Sequence, residues 1–336
     1  MTSMIYMQTG FWEKLSSDTS REGIRSMLNV SDALSNSDVI TDVPEERLHN
    51  DVFLMAMIKQ GNYQRCDSNY INKKVEGLCS TTPIEDLCAT YMLDKKPYEC
   101  DNVEKKYGVI VICASSLPNK RFLFDGDGFS LDKNKRYPSK YVSFKEQLQQ
   151  PCNSMIVIDP YLLKTKGVDK VNNTILFPGI HNNLEPLLDA ILPQKLEVDY
   201  HLTIISSLDN PDDIKSAYEK VKKCIKRIRK DLNVRLSIIY TAIGYHYWTE
   251  SFHSRHIITN SFAIDSEDGL DLFNDKGYLT KNNPTISIVF PRLFGNSRQD
   301  VTKYNNWVRS VKQYVEDCSD KEWYGTKENR LLDLVD

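Results

Sequence analysis

The sequence lacks any long apolar run, and this absence argues against a protein that crosses a membrane as a helix. A membrane-spanning helix needs about 20 consecutive apolar residues, whereas the longest apolar runs, at 109–114, 156–158 and 238–240, are far shorter. The N-terminus also lacks the basic start and the apolar core of a signal peptide. From these absences we expect a cytoplasmic protein without a transmembrane segment.

An excess of charge of one sign is also missing. The chain has 43 Lys and Arg against 46 Asp and Glu, a net charge of −3 over 336 residues. This balance excludes a nucleic-acid-binding protein that is basic over its whole surface, but it does not exclude a local basic face. With 40% hydrophobic and 26% charged residues the composition is that of a globular protein, not of a disordered one. At roughly 100–200 residues per domain, the length suggests two domains.

Cysteine is present eight times, but no Cys-x-x-Cys pair and no Cys–His cluster with zinc-finger spacing occurs. Cys66, Cys79, Cys88 and Cys100 form a loose group, which is read either as a metal or redox site or as free thiols in a reducing cytosol. The second interpretation fits the spacing better. We therefore expect no metal centre and no cofactor.

Hydrophobic patterning divides the chain into a polar segment at 1–50, a small α+β region at 51–150 and a cleaner pattern at 151–336. Strands are predicted from β-branched apolar runs and helices from apolar residues spaced by three and four. The predicted strands are 107–113, 154–158, 201–207, 234–240, 255–264 and 285–290, and the predicted helices are 83–93, 182–192, 212–232 and 299–317. This order predicts an α/β (α+β) fold with a mixed sheet flanked by helices.

The most specific local feature is His253-Ser-Arg-His-Ile-Ile-Thr-Asn260. It resembles the His-x-Lys-x4-Asp motif of the phospholipase D superfamily, with Arg255 in the lysine position and Asn260 in the aspartate position. A strand running into Asp159-Pro-Tyr161, and Gly269-Leu-Asp-Leu-Phe273 after the motif, are similar to a degenerate branch of that superfamily. The branch includes the C-terminal domain of the MIT-domain phospholipid-binding protein and its bacterial relatives. The resemblance covers roughly 152–291.

The resemblance implies a site for a phosphodiester. In active members one histidine attacks phosphorus, a second protonates the leaving oxygen, lysines bind phosphate and the aspartate stabilises the charged histidine. By this analogy His253 is the candidate nucleophile and Arg255 binds phosphate, while Asn260 orients a histidine without stabilising its charge. Because only one motif is visible, two histidines would meet only in a homodimer. The bacterial relatives imply membership of a multi-gene system such as defence against phage.

Each candidate residue also has a structural interpretation. His253 is a nucleophile, a phosphate contact or a structural histidine, and His256 points to the opposite face of a strand. Asp159, with Tyr161, is either a ligand contact at a strand end or a residue that caps a turn. The sequence Asp125-Gly-Asp-Gly128 favours a turn over a cation loop.

The helix at 212–232 is rich in cations. The face that carries Lys222, Lys226 and Arg229 either contacts phosphate or anionic lipid or is simply exposed to solvent.

Three functions follow as hypotheses. The first is a degenerate phospholipase D-like module that binds a phosphate-bearing ligand, such as nucleic acid, or a partner protein, without turnover. The second is a metal-independent phosphodiesterase or nuclease that works through His253 in a homodimer. The third is a scaffold whose first 150 residues make the specific contacts. The first is favoured because phosphate binding survives the Arg255 and Asn260 replacements better than catalysis does.

Overall fold

A computed structural model describes most of the chain, and every structural statement below concerns the described residues. These residues are 3–55, 63–120, 123, 127–164, 168–169, 174–241, 255–266, 268–282, 284–289 and 298–334. They form a five-stranded sheet, an eight-stranded sheet and a two-stranded ribbon, with helices packed around them. The predicted α/β (α+β) class is confirmed.

The five-stranded sheet is parallel and takes its strands from the first third of the chain. Its spatial order is β3-β2-β1-β4-β5. The strands are β1 (Ser3–Met7), β2 (Ser37–Thr41), β3 (Tyr63–Arg65), β4 (Thr90–Met92) and β5 (Ile110–Ile112). The polar segment at 1–50 therefore supplies the central strand. Strands buried on both faces lack the polar–apolar alternation by which a strand is recognised in a sequence.

Besides a helical turn at 52–55, six α-helices with both ends described accompany this sheet between Ser3 and Ile112. They are α1 (Thr9–Ser17), α2 (Arg21–Ser35), α3 (Glu45–Asn50), α4 (Tyr70–Glu76), α5 (Ile84–Leu87) and α6 (Pro97–Tyr107). The helix predicted at 83–93 is wrong in its second half, because α5 ends at Leu87 and β4 follows. Tyr91 and Met92 are fully buried between β1 and β5, and this pairing overrides the local helical spacing.

The eight-stranded sheet is mixed and has the order β15-β11-β10-β7-β12-β13-β14-β6. Strands β7, β10 and β11 are parallel to one another, and the other neighbouring pairs are antiparallel. The strands are β6 (Asp127–Ser130), β7 (Ser154–Ile158), β10 (Tyr200–Ser206), β11 (Val234–Tyr240), β12 (Arg255–Thr259), β13 (Ala263–Ser266), β14 (Thr285–Val289) and β15 (Trp323–Gly325). The ribbon consists of β8 (Val168–Asp169) and β9 (Thr174–Ile175).

Two predictions in this region are corrected. The single strand expected at 255–264 is a hairpin, because Thr259 exchanges hydrogen bonds with Phe262 and reverses the chain between β12 and β13. Asp127 and Gly128, expected in a turn, lie instead in β6, where they pair with β14. A Cβ at Gly128 would lie 2.9 Å from the Ile286 carbonyl oxygen, so the close strand pairing requires glycine there.

Helices cover both faces of the eight-stranded sheet. The longer ones are a π-helical turn (Ile180–Leu184) that continues into α8 (Glu185–Ile191), then α9 (Ile214–Ile228) and α10 (Arg298–Asp317). Short helical elements are α7 (Lys145–Leu148), α11 (Arg330–Asp333) and 3-10 turns at Ala114–Lys120, Lys140–Phe144 and Pro211–Asp213. Strand β7 alternates between the two faces: Met155 and Val157 join the larger core cluster, while Ile156 and Ile158 join the cluster under α10. No described helix is long and apolar enough to cross a membrane.

The strand order reverses at β7, and this positions the candidate site. From β7 the chain continues to β10 on one side, whereas the strand on the other side, β12, comes later and runs antiparallel. The C-terminal ends of β7, β10 and β11 therefore lie at the same end of the sheet as the N-terminal end of β12. We call this row of strand ends the site edge. In open α/β sheets this edge, at the point where the strand order reverses, is where ligands bind.

Candidate functional site

Asp159 and Arg255 lie side by side at this edge. His256 pairs with Ile158, the last residue of β7. Because the two strands are antiparallel, Asp159, which follows Ile158, lies beside Arg255, the first residue of β12. The turn after β7 adds Tyr161, and the loop after β13 adds Gly269 and Asp271. We call these five residues the edge cluster. The structure therefore brings together three of the residues predicted from the sequence as site residues: Asp159, Tyr161 and Arg255.

The carboxylate of Asp159 holds two backbone segments in place. Asp159 is completely buried. Its Oδ1 accepts a hydrogen bond of 2.7 Å from the Tyr161 amide, and its Oδ2 accepts one of 2.6 Å from the Leu270 amide. The first bond caps the turn, as one of the two sequence interpretations held. The second fixes the loop that carries Gly269 and Asp271.

Burial raises the pKa values of both carboxyl groups in the edge cluster. It raises the pKa of Asp159 to about 6, with a further rise from the nearby Asp271 charge; the two amides and Arg255 oppose this shift. Burial also raises the pKa of Asp271, against the opposing charges of Lys281 and Arg255. Carboxyl groups with raised pKa values that sit beside an arginine are typical of functional sites.

Gly269 marks the centre of the edge cluster. Its φ of +96° is a conformation that other residues rarely adopt. A Cβ at this position would lie 2.9 Å from Asp271 Oδ1, 3.3 Å from Asp159 Oδ2 and 4.0 Å from Arg255 Nε. Three polar side chains thus converge on a space that glycine leaves open.

The guanidinium of Arg255 lies over an aromatic ring. Its Cζ is 5.8 Å from the centroid of the Tyr161 ring, within the range of a cation–π interaction. The side chain is half-buried, so one part packs in the cluster while another reaches solvent.

The loop of the edge cluster is held rigidly on its far side. The Tyr141 hydroxyl donates to the Leu270 carbonyl at 3.1 Å. Asn183 donates from Nδ2 to the Phe273 carbonyl at 3.0 Å and accepts from the Phe273 amide at 2.8 Å. Rigid support of this kind keeps a binding group in place before a ligand arrives.

Asn260 lies at the opposite end of β12 from Arg255, roughly 16 Å away at 3.3 Å per residue. It is 1% exposed. Its Oδ1 accepts from the amides of Asn153 (2.8 Å) and Ser154 (3.3 Å), and its Nδ2 donates to the Gly108 carbonyl at 3.1 Å. These bonds tie the eight-stranded sheet to the segment between α6 and β5. The structure does not bring Asn260 to the edge cluster.

The cationic residues predicted on 212–232 lie along α9, which runs from the site edge back toward the start of β11. Lys222 and Lys226 are exposed, roughly 12 and 18 Å along the helix from Ile214. Arg229, just past the helix end, is 2% exposed. Its guanidinium bonds to Asp189 at 2.5 Å and to the Leu192 carbonyl at 2.8 Å. The contacts of Arg229 are therefore structural, and Lys222 and Lys226 stay predictions as ligand contacts.

The candidate nucleophile His253 lies outside the described residues. The neighbouring His256 is buried, and its Nδ1 lies 3.3 Å from Asp265 Oδ1. The His256 ring stacks on Trp307 with 3.9 Å between ring centroids. His256 thus packs beneath α10, on the other face of β12 from Arg255, as the alternation of a strand requires.

Sequence reasoning used the segment 269–273 only as part of the resemblance and did not name Gly269 or Asp271 as site residues. Asp271 Oδ1 is buried and accepts no hydrogen bond from a described residue. A usable signal was present, since Gly269-Leu-Asp271 directly follows a strand of the candidate region. A cavity of about 420 Å³ also lies at the C-terminal ends of the strands of the five-stranded sheet, lined by Gln8, Gly10, Asp42, Asn72, Glu76, Asp94, Lys95 and Glu99.

Comparison with known proteins adds no identification. A scan against protein-family models finds no match to this chain, and a search of curated proteins finds no significant similarity. The resemblance to the phospholipase D superfamily therefore stays a prediction, and the edge cluster has to be judged on its geometry.

Proposed function

We propose that the protein is a binding module for a phosphate-bearing ligand of the nucleic-acid type, and that the edge cluster is its binding site. The observation that carries the proposal is the position of Arg255: half-buried, over the Tyr161 ring, at the edge where the strand order reverses. A guanidinium presents a planar fork of donors that matches two phosphate oxygens. Arg255 is thus the anion contact, and Tyr161 supports it.

The two carboxylates favour a ligand that carries hydroxyl groups beside its phosphate. A bare phosphate would meet the charges of Asp159 and Asp271 as well as that of Arg255. A ribose hydroxyl, by contrast, would donate a hydrogen bond to the carboxylate of Asp271, which is half-buried and so partly open to solvent. Recognition of the ribose 2′-hydroxyl is also how a protein distinguishes RNA from DNA. RNA is therefore the nucleic acid that fits the edge cluster best.

Binding of an anion is expected to be coupled to protonation of Asp159. Its pKa is already about 6, and a phosphodiester nearby would raise it further because like charges disfavour ionisation. The complex then takes up a proton, so affinity rises as the pH falls through about 6. A phosphodiester keeps its own charge over this range, so the pH dependence belongs to the protein.

The test is a fluorescence anisotropy titration with labelled single-stranded RNA, single-stranded DNA and double-stranded DNA of one sequence. Loss of a charge-assisted contact costs about 1.5–3 kcal/mol, so Arg255→Gln should weaken binding about tenfold or more. Arg235→Gln is the matched control, because Arg235 is also an arginine on a strand of the same sheet; it pairs with Asp199 (2.7 Å) and Glu328 (2.6 Å). It lies near the start of β11, at the opposite edge of the sheet. Equal affinity of the two variants would contradict the proposal.

The second candidate function is a metal-independent phosphodiesterase or nuclease. It is favoured by the placement of Arg255, because the candidate nucleophile His253 precedes it by two positions in the chain. Cleavage of RNA, DNA and a chromogenic diester is measured in EDTA for the wild type, for His253→Ala and for the exposed control His49→Ala. Cleavage lost only in His253→Ala would establish this function, and no cleavage in any of them leaves the binding module.

A homodimer or a protein partner, and a cytoplasmic location, belong to the same proposal. The single histidine motif supports the homodimer, because a second histidine would have to come from a second copy. Sedimentation of the full chain with and without RNA measures this directly. A monomer in both conditions would remove the homodimer from the proposal without affecting the role of Arg255.

A further inference from the structure

Three side chains with metal-binding atoms meet where the π-helical turn, α8 and α9 come together. His181 lies in the π-helical turn, Glu185 is the first residue of α8, and Cys224 lies on the neighbouring helix α9. Their ligand atoms all lie within 4.8 Å of one another. The sequence shows no such group, because Cys224 is 39 residues from Glu185 and no motif spacing connects them.

The distances between these atoms resemble those within a tetrahedral metal site. His181 Nδ1 lies 3.2 Å from Glu185 Oε2, and Cys224 Sγ lies 3.8 Å from the same oxygen. In a tetrahedral zinc site, the ordinary Zn–N, Zn–O and Zn–S bond lengths put neighbouring ligand atoms roughly 3.4–3.6 Å apart. Small side-chain rotations are therefore enough to place all three around one ion.

The surroundings orient the ligand atoms toward a common point. Arg227 donates from Nε to Glu185 Oε1 at 2.9 Å, which leaves Oε2 turned toward His181 and Cys224. The same guanidinium lies 3.8 Å from Cys224 Sγ, where it would stabilise a thiolate. His181 is largely exposed and Cys224 is buried, so an ion has a route in from solvent and a ligand atom fixed by packing. The π-helical turn that carries His181 is a rare conformation that occurs frequently at functional sites.

We propose that His181, Glu185 and Cys224 form a binding site for a divalent transition-metal ion of the zinc type. An imidazole, a carboxylate and a thiolate suit Zn²⁺ or Co²⁺ and not Mg²⁺ or Ca²⁺, which prefer oxygen ligands. Three protein ligands leave one position of a tetrahedron open for water or for a ligand atom. The ion would also join α8 to α9 and so stabilise the face of the sheet that these helices cover.

The test is metal binding by the full chain after EDTA treatment, with Zn²⁺ titrated in competition with a chromophoric chelator. We expect one tight site per chain. Loss of a group that only hydrogen-bonds to a zinc ligand costs about 10–100-fold in metal affinity, so loss of a ligand itself in His181→Ala or Cys224→Ser should cost at least about tenfold. Titration with Co²⁺ should show a thiolate-to-cobalt charge-transfer band that disappears in Cys224→Ser.

Two matched controls separate this site from adventitious binding. His49 lies 3.9 Å from Glu45 at the same helical spacing but without a cysteine, and Cys79 is an exposed thiol. His49→Ala and Cys79→Ser should leave affinity and the cobalt band unchanged. The proposal is overturned if wild type binds no more tightly than His181→Ala, an exposed substitution that leaves the core intact, or if the cobalt band is lost with Cys79→Ser.

Discussion

Replacement of Asn260 by aspartate separates a structural role from a catalytic one. In the resemblance to the phospholipase D superfamily, Asn260 stands where active members have aspartate, so Asn260→Asp would restore the family residue. In the structure the amide nitrogen of Asn260 faces acceptors: the Gly108 carbonyl at 3.1 Å, the Leu87 carbonyl at 3.4 Å and the Ser261 hydroxyl at 3.2 Å. A carboxylate cannot donate to these oxygens.

The energetic cost follows from these contacts. Asn260→Asp removes the amide donations to Gly108 and Leu87, each worth about 1 kcal/mol. It also places a buried charge against two carbonyl oxygens, although the amides of Asn153 and Ser154 continue to donate to the other oxygen. Desolvation without a compensating partner adds about 1–3 kcal/mol. We expect a loss of about 3–5 kcal/mol in the free energy of unfolding at neutral pH.

Urea denaturation followed by circular dichroism measures this loss. Asn274→Asp is the matched control, because among the described residues the Asn274 side chain hydrogen-bonds only through its Oδ1, which accepts from the Lys276 and Tyr278 amides at 3.0 and 3.1 Å. An aspartate preserves both bonds, so we expect a change within about 0.5 kcal/mol. If Asn260→Asp costs less than about 1 kcal/mol, or if it creates phosphodiesterase activity, the structural assignment of Asn260 is refuted.

Three further outcomes follow from the site geometry. Because the folded-state pKa of Asp159, about 6, exceeds its ordinary value of 3.8, ionisation of this one group should contribute a decline of about 3 kcal/mol in the free energy of unfolding as the pH rises between these values. Asp159→Asn should abolish that decline in urea denaturation, and an unchanged pH profile would exclude the shift. Gly269→Ala should cost about 1–2 kcal/mol through its positive φ and also weaken RNA binding; unaltered melting and affinity would argue against the converging geometry. Arg229→Ala should cost about 1–3 kcal/mol, because the Leu192 carbonyl loses its donor while the Asp189 carboxylate, 34% exposed, is rehydrated; a melting temperature equal to wild type would show that these contacts are not structural.

The sequence predicted best the elements with a strong local hydrophobic pattern. Strands β7 and β11 coincide with the predicted ranges 154–158 and 234–240, because a continuous run rich in β-branched residues favours a strand over a helix. The stripe of α9 predicted that helix equally well. Strand β4 was missed because its three residues are specified by β1 and β5, which lie far away in the chain.

For the site, residues at strand ends were predictable and residues fixed by tertiary packing were not. Asp159 and Arg255 come together because each begins or ends a strand, which a sequence pattern reveals. Asn260 belongs to the same short motif, but the length of β12 carries it to the opposite edge. The burial of Arg229 and the meeting of His181 with Cys224 depend on how α9 packs on α8, which local patterns do not encode.

The most direct test of the proposed function is the ratio of RNA affinities between Arg255→Gln and Arg235→Gln at one salt concentration. Both variants remove one positive charge from a strand of the same sheet, so non-specific electrostatic effects cancel in the ratio. A binding site at the edge cluster predicts that Arg255→Gln binds at least about tenfold more weakly than Arg235→Gln. A ratio near one would place the phosphate contact elsewhere and contradict the account.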